Sequence, residues 1–195
     1  MIARFIFVCV LLLAAGTACH KKQEELPALG QIADFRLKDQ TGRALSVADF
    51  RGKTWVAAFM FTRCPTICPR ITRRMQDVQA HAKKAQVPLT LVSFSVDPEY
   101  DTPAVLSEYA REFKLDTSNW RLLTGDIEVI KKTSIESFKM ALDGQPDGAA
   151  DHLGLVHGSH LVLVDGKAQI RGFYRSSDAD VVTRLVSDAK RLSSE

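Results

Sequence analysis

Two hydrophobic periods alternate along this chain from residue 35 onward. Phe35-Arg36-Leu37-Lys38 alternates apolar and polar positions, Asp39-Gln40-Thr41-Gly42 has turn chemistry, and Arg43-Ala44-Leu45 resumes the alternation. That pattern predicts a β-hairpin. Residues 54–61 form a nearly unbroken apolar run, as expected of a central strand covered on both faces. Ile71, Met75 and Val78 then recur at gaps of four and three, which is a helical spacing. Residues 89–96 predict the next strand. Thr102-Pro103 offers an N-cap followed by proline in the first helical position. Val105, Leu106, Tyr109, Ala110 and Phe113 give that helix an apolar stripe. Residues 121–124 read as a short strand, and Ile127, Ile130, Ile135, Phe138 and Leu142 mark a further helix. Residues 143–148 have loop composition. Residues 161–164 and 169–174 form a second hairpin around Asp165-Gly166, and Val181, Val182, Leu185, Val186, Ala189 and Leu192 predict a closing amphipathic helix.

The predicted order is a hairpin followed by β-α-β-α-β-α-β-β-α. Such alternation builds an α/β sheet with helices on both faces. A cysteine pair directly after the first central strand and a final hairpin and helix make the layout look like the thioredoxin fold. The expected architecture is a central mixed sheet flanked by helices, with an N-terminal β-hairpin. Composition agrees: 46% of the 195 residues are hydrophobic, enough for a real core and unlike a disordered, collagenous or multi-span membrane chain. Lys and Arg number 26 against 23 acidic residues, a net charge of +3. The basic residues are not gathered into a run, so nucleic acid is not an expected partner.

The N-terminus reads as an address. Arg4 precedes an apolar run over residues 5–15, and Gly16-Thr17-Ala18-Cys19 follows. The run is shorter than the roughly 20 apolar residues of a spanning helix and ends in small residues, which is the layout of an export signal. Residues 1–18 are read as the signal peptide, 19–27 as a polar tether and 28–195 as the folded domain. Cys19 is the candidate lipidation site. Gly16 stands where a lipobox has Leu, so cleavage by an ordinary signal peptidase is the rival. Either way the domain is expected on the periplasmic or cell-envelope face, and acylation would hold it on a membrane surface without crossing.

Arg63-Cys64-Pro65-Thr66-Ile67-Cys68-Pro69 carries the chemistry. Two cysteines four apart, where a strand becomes a helix, can face the same side of the first turn. The unpaired N–H groups and dipole of a helix start favour thiolate, and Arg63 and Arg70 bring charge of the same sign. A permanent disulfide here would close a very small loop and add little through chain entropy, so reactivity explains the pair better. Redox pairs have two residues between their cysteines; this pair has three. The wider spacing suits two sulfurs converging on a soft metal ion without forbidding a disulfide. The third donor is sought among His20, His81, His152, His157 and His160. His20 sits in the tether, His81 about four turns from the cysteines, and His152 in a loop. His157, just before the strand at 161–164, is the first choice and His160 the alternative ligand. Two thiolates and an imidazole favour copper(I), with zinc as competitor; no fourth protein ligand for structural zinc is visible. No histidine has Glu two residues on, which excludes a zinc deaminase.

At these residues the chain resembles the Sco/SenC family of copper-binding, thioredoxin-like assembly factors for cytochrome c oxidase. The matching stretches are Phe61-Thr62-Arg63-Cys64-Pro65-Thr66-Ile67-Cys68-Pro69, then Ser95-Val96-Asp97-Pro98-Glu99-Tyr100-Asp101-Thr102-Pro103, then Trp120-Arg121-Leu122-Leu123-Thr124-Gly125, and His157-Gly158-Ser159 running into Leu163-Val164-Asp165. The resemblance spans roughly one full domain, residues 28–192. It implies copper, as Cu(I) or Cu(II), on Cys64, Cys68 and His157, with Asp97 near the site in metal transfer or partner docking. It implies as partner the copper-bearing oxidase subunit or another copper chaperone. Asp101 is assigned to the turn and to the start of the next helix. His160 is a departure from the family pattern. No proline directly precedes Leu161, which argues against a general disulfide reductase. A thiol–disulfide oxidoreductase or redox sensor cycling Cys64 and Cys68 is the alternative.

Overall fold

The computed structural model describes residues 25–139 and 159–193. Cys9, Cys19, His20, Leu142, the loop at 143–148, His152 and His157 lie outside the described residues. Among those described, eight strands form one mixed sheet. They are β1 (Gly30–Gln31), β2 (Arg36–Asp39), β3 (Ala44–Ser46), β4 (Trp55–Met60), β5 (Thr90–Ser95), β6 (Trp120–Thr124), β7 (His160–Val164) and β8 (Gln169–Arg175). Their order across the sheet is β1-β8-β7-β4-β5-β6-β2-β3. The helices are α1 (Ile67–Lys84), α2 (Pro103–Glu112), α3 (Ile127–Lys132) and α4 (Val181–Leu192).

The continuous apolar run becomes β4, with every residue buried. It lies between β5, paired in parallel from Trp55↔Thr90 to Met60↔Ser95, and β7, paired antiparallel. The pleat splits its side chains between two layers. Val56, Ala58 and Met60 pack with Ile71, Met75 and Val78 of α1, Leu106 of α2 and Leu185 of α4. Trp55, Ala57 and Phe59 pack on the other face with Phe50, Ile130 and Phe138. Helices therefore cover both faces, as alternation predicts.

Local chemistry fixes the ends of the elements. In the first hairpin Asp39 Oδ1 accepts from the Thr41 and Arg43 N–H groups at 2.9 and 3.1 Å, and Gly42 supplies the positive φ of 85° that other residues avoid. In the second, Asp165 Oδ1 accepts from Lys167 and Gln169 N–H, each at 2.9 Å. Thr102 caps α2 by accepting from the Val105 N–H at 3.3 Å, with Pro103 first in the helix. Asp126 caps α3.

Two features depart from the pattern. β1 has no sequence signal; two residues long, it hangs on backbone bonds to β8 and on the Gln31 amide, which donates to the Lys167 and Ala168 carbonyls. Just before it, the Leu26 carbonyl is held by the Arg171 guanidinium, itself paired with Asp165 at 2.8 Å. The expected helix through Ile135 is also corrected. After α3 the chain enters a π turn, Thr133–Ser137, whose wider winding breaks the 3.6-residue phase. Ile135 is consequently 52% exposed, whereas Phe138 returns to the core.

Phe138 is fully buried against Trp55, Phe59 and Phe94, with ring centroids 5.2–6.2 Å away. Phe138→Ala is expected to cost about 3–5 kcal/mol, read as a lower urea midpoint at unchanged slope. A loss under about 1 kcal/mol would mean the aromatic layer collapses into the space.

Candidate metal centre

β4 and β5 run parallel and end at the same level, Met60 opposite Ser95. Two loops therefore leave the carboxyl edge of the sheet side by side, the position where open α/β sheets place their sites. The first, Phe61 to Thr66, carries Cys64. The second, Val96 to Thr102, carries Asp97 and Asp101. Cys68 sits in the first turn of α1.

Both cysteines are free thiols, 7% and 3% exposed, and they contact the same small network. The Cys64 N–H donates to the Phe61 carbonyl at 3.3 Å, which closes the turn. The Cys68 N–H donates to Cys64 Sγ, and the Phe61 N–H to Cys68 Sγ, each at 3.5 Å. Their electrostatics diverge. Burial acts to raise the Cys64 thiol, but N–H groups of Cys68, Thr66 and Ile67 and the Cys68 thiol outweigh it and hold Cys64 below the ordinary thiol range. Burial dominates at Cys68, where the neighbouring Cys64 and Asp101 add to it, and the thiol is pushed up to about 12. The helix start thus activates one sulfur and leaves the other protonated.

The expected help from Arg63 takes another form. Its Nε donates to Asp97 Oδ2 at 2.6 Å, and its guanidinium lies 4.8 Å from the centre of the exposed Tyr100 ring. The charge is engaged with Asp97, and the N–H groups at the helix start lower Cys64. Asp101 also departs from its assignment. Its backbone N–H serves the turn, donating to the Asp97 carbonyl at 2.8 Å. Its carboxylate turns inward, accepts from the Thr62 N–H at 3.0 Å and from the Ser95 hydroxyl at 2.5 Å, and also meets the Thr62 hydroxyl. Thr102 alone caps α2. In the sequence, Ser95, Asp97 and Asp101 stand out only within the stretch that carries the family resemblance, and that stretch names no partner on the other loop.

The histidines separate by face. Leu161 and Leu163 of β7 join the cluster that holds Cys64 and Cys68, whereas Val162 and Val164 join the opposite one. Strand alternation therefore directs His160 to the side away from the cysteines. It is half-buried, with Nδ1 3.4 Å from the Ser159 hydroxyl; burial and Arg175 hold its pKa below the usual imidazole value. His81 is exposed near the far end of α1. Among the described residues no three His, Cys, Asp or Glu side chains gather closely enough to hold a metal. No described helix is long and apolar enough to cross a membrane.

Because Cys64 is shifted toward thiolate and Cys68 away from it, alkylation of the reduced protein at neutral pH is expected at Cys64 first. Its rate should rise with pH and level off below the ordinary thiol pKa, while Cys68 stays resistant until far more alkaline conditions. Peptide mass spectrometry across a pH series checks this, and equal labelling of both would contradict it.

The SCO1/SenC family profile matches residues 23–192. A SCO1/SenC family lipoprotein from Bacillus anthracis is 35% identical, with a TM-score of 0.76 over 84% of this chain and 95% of its own. BsSco, a member of the Sco family of cytochrome c oxidase assembly proteins in which a disulfide switch was identified, is 31% identical, with a TM-score of 0.78 over 88% of this chain and 99% of its own. Bradyrhizobium japonicum ScoI, solved with copper bound, is 27% identical, with a TM-score of 0.67 over 85% and 99%. The thioredoxin-like α/β sheet, the cysteine pair on its carboxyl edge and a match over nearly the whole described chain place this protein in the SCO1/SenC family.

Proposed function

We propose that this chain is an exported, membrane-tethered copper-binding protein that serves assembly of the binuclear copper site of cytochrome c oxidase. Copper is held by the Cys64 and Cys68 thiolates and the His157 imidazole. The observation that carries the reading is the pair of reduced sulfurs sharing one network at the start of α1. Soft thiolate donors select copper(I) over harder ions. β7 pairs antiparallel with β4 and so begins toward the edge where β4 ends, which supports a third donor from the residues before it. His160 is on the other face, which leaves His157 as the ligand favoured by the sequence. The copper bound to the Bradyrhizobium relative and the assembly role of the BsSco family support the same assignment.

Both sulfurs must be reduced before metal enters, because a disulfide offers no thiolate. Binding displaces the proton that burial keeps on Cys68, so metal uptake releases it to solvent. Asp97, on the rim of the site, serves metal transfer or partner docking; its carboxylate is held by Arg63. The partner is the copper-bearing oxidase subunit or another copper chaperone. Residues 1–18 direct export, 19–27 tether the domain formed by 28–195, and Cys19 carries the lipid; the lipoprotein nature of the Bacillus anthracis relative supports that anchor. One observation favours a second reading. An activated thiol beside a protonated one is the arrangement of a thiol–disulfide exchanger, and the same pair then cycles without metal.

Anaerobic titration of the reduced protein with copper separates the two. One copper per chain is expected, lost in Cys64→Ser and in Cys68→Ser and weakened at least about tenfold in His157→Ala. Disulfide exchange that is unaffected by His157→Ala, with no copper retained by the wild type, would favour the exchanger.

A further inference from the structure

Asp101 is the one carboxylate at the site that water does not reach: its exposure is 0%. No ion pair is formed with it among the described residues. Burying such a group is costly unless its oxygens are hydrogen-bonded, and here two loops supply the donors. Oδ2 accepts from the Thr62 N–H at 3.0 Å and the Ser95 hydroxyl at 2.5 Å, and Oδ1 from the Thr62 hydroxyl. Ser95 in turn accepts from the Asp97 N–H at 3.1 Å. Thr62 directly follows Phe61, whose N–H points at Cys68 Sγ, and precedes by two residues the cysteine whose Sγ receives the Cys68 N–H. The carboxylate makes no hydrogen bond to either sulfur; it grips the stretch of chain that aims both.

We infer that Asp101 is a positioning residue for the sulfur pair: through Thr62 it pins the Cys64 turn to the end of β5 and holds the two thiols in the open, reduced arrangement. That extends the proposed function, on which its copper arm rests, while its redox arm stands without metal. An S–S bond would have to join a turn held through Thr62 to the first turn of α1, and the grip opposes any movement of that turn needed to close it, so the grip favours the dithiol. In the exchange with oxidised glutathione, Cys64 Sγ and Cys68 Sγ become joined and two protons leave. The two electrons, with two protons, pass to the glutathione disulfide, whose S–S bond breaks to give two thiols.

The test equilibrates the full copper-free protein with glutathione and reads the dithiol-to-disulfide ratio of wild type, Asp101→Ala, Asp101→Asn and Thr62→Val. Asp101→Ala is expected to shift the ratio about tenfold toward disulfide, equivalent to about 30 mV for this two-electron couple. Asp101→Asn keeps an acceptor for the Thr62 N–H and should move it by less than about threefold. If Asp101→Ala does not fold, Thr62→Val, which removes only the hydroxyl contact, carries the measurement in the same direction with a smaller shift. In the copper(II)-loaded proteins the sulfur-to-copper absorption band of Asp101→Ala should be displaced and that of Asp101→Asn should overlay wild type. A purely structural role would lower the melting temperature and leave ratio and band unchanged. Unchanged ratios overturn the inference, as does Asp101→Asn shifting as far as Asp101→Ala, since that makes charge and not the grip responsible. A wild type that takes no copper while the ratios shift as stated sinks the copper reading and leaves this one intact.

Discussion

The parallel ladder between β4 and β5 is the constraint from which the site follows. Six consecutive residue pairs, Trp55↔Thr90 through Met60↔Ser95, bring both strands to the same edge. Each strand then hands the chain to a loop and a helix, because parallel neighbours need a crossover. The two loops cannot avoid each other. Thr62, two residues past the end of β4, meets Asp101, six past the end of β5, although they are 39 apart in sequence. A ladder of backbone bonds buried on both faces is stiff, so the positions of the sulfurs inherit its precision. α1 adds the other half. Its Ile71, Met75 and Val78 lie on the sheet beneath Val56 and Ala58, which fixes where the helix begins and therefore where Cys68 stands.

Two contacts tie the loops together, and they differ in kind. Asp101 is dry, and hydrogen bonds to a charged group in such a setting contribute about 1.5–3 kcal/mol each, with a larger penalty when one is left unmade. Arg63 and Asp97 lie at the surface, where solvent and salt weaken an ion pair and the side chains resist being held. The inner contact is therefore a fixture and the outer one a contact that a docking surface can displace. The stacking of Arg63 on the exposed Tyr100 ring adds to the outer contact without drying it. A site that holds its sulfurs and, as proposed, admits a partner would use this gradient from dry to wet.

Elements with strong periodicity could be read from the sequence: the buried β4 run, the Ile71–Met75–Val78 stripe and the Thr102-Pro103 start of α2 all fold as their patterns predict. β1 could not, because its pairing uses backbone groups and one glutamine amide, neither of which leaves an apolar signature. Ile135 was misplaced because a π turn changes the angular step, and no residue type announces that change. At the site, the cysteine pair was legible from spacing, whereas Asp97 was singled out only through the family resemblance. The partners of Arg63 and Asp101 were not legible. Both contacts join residues more than 30 positions apart, and their existence depends on the two loops sharing one sheet edge. Local reading assigned Arg63 to the thiols and Asp101 to the helix start, each by the nearest candidate in sequence.

The divergence of the two thiols gives the proposed copper chemistry an order. Cys64 is the less buried residue of the pair and the one whose sulfur the helix start biases toward thiolate, so in the proposed binding it would be the first point of attachment for a metal. Cys68 is deeper and keeps its proton, because burial and the nearby carboxylate of Asp101 both oppose its ionisation. A cation held at Cys64 would reverse that balance, because positive charge beside Cys68 favours the thiolate that a second bond needs. Strand alternation turns His160 to the face opposite Leu161 and Leu163, which share the cluster of the cysteines, and so separates it from the sulfurs on grounds that composition alone does not offer.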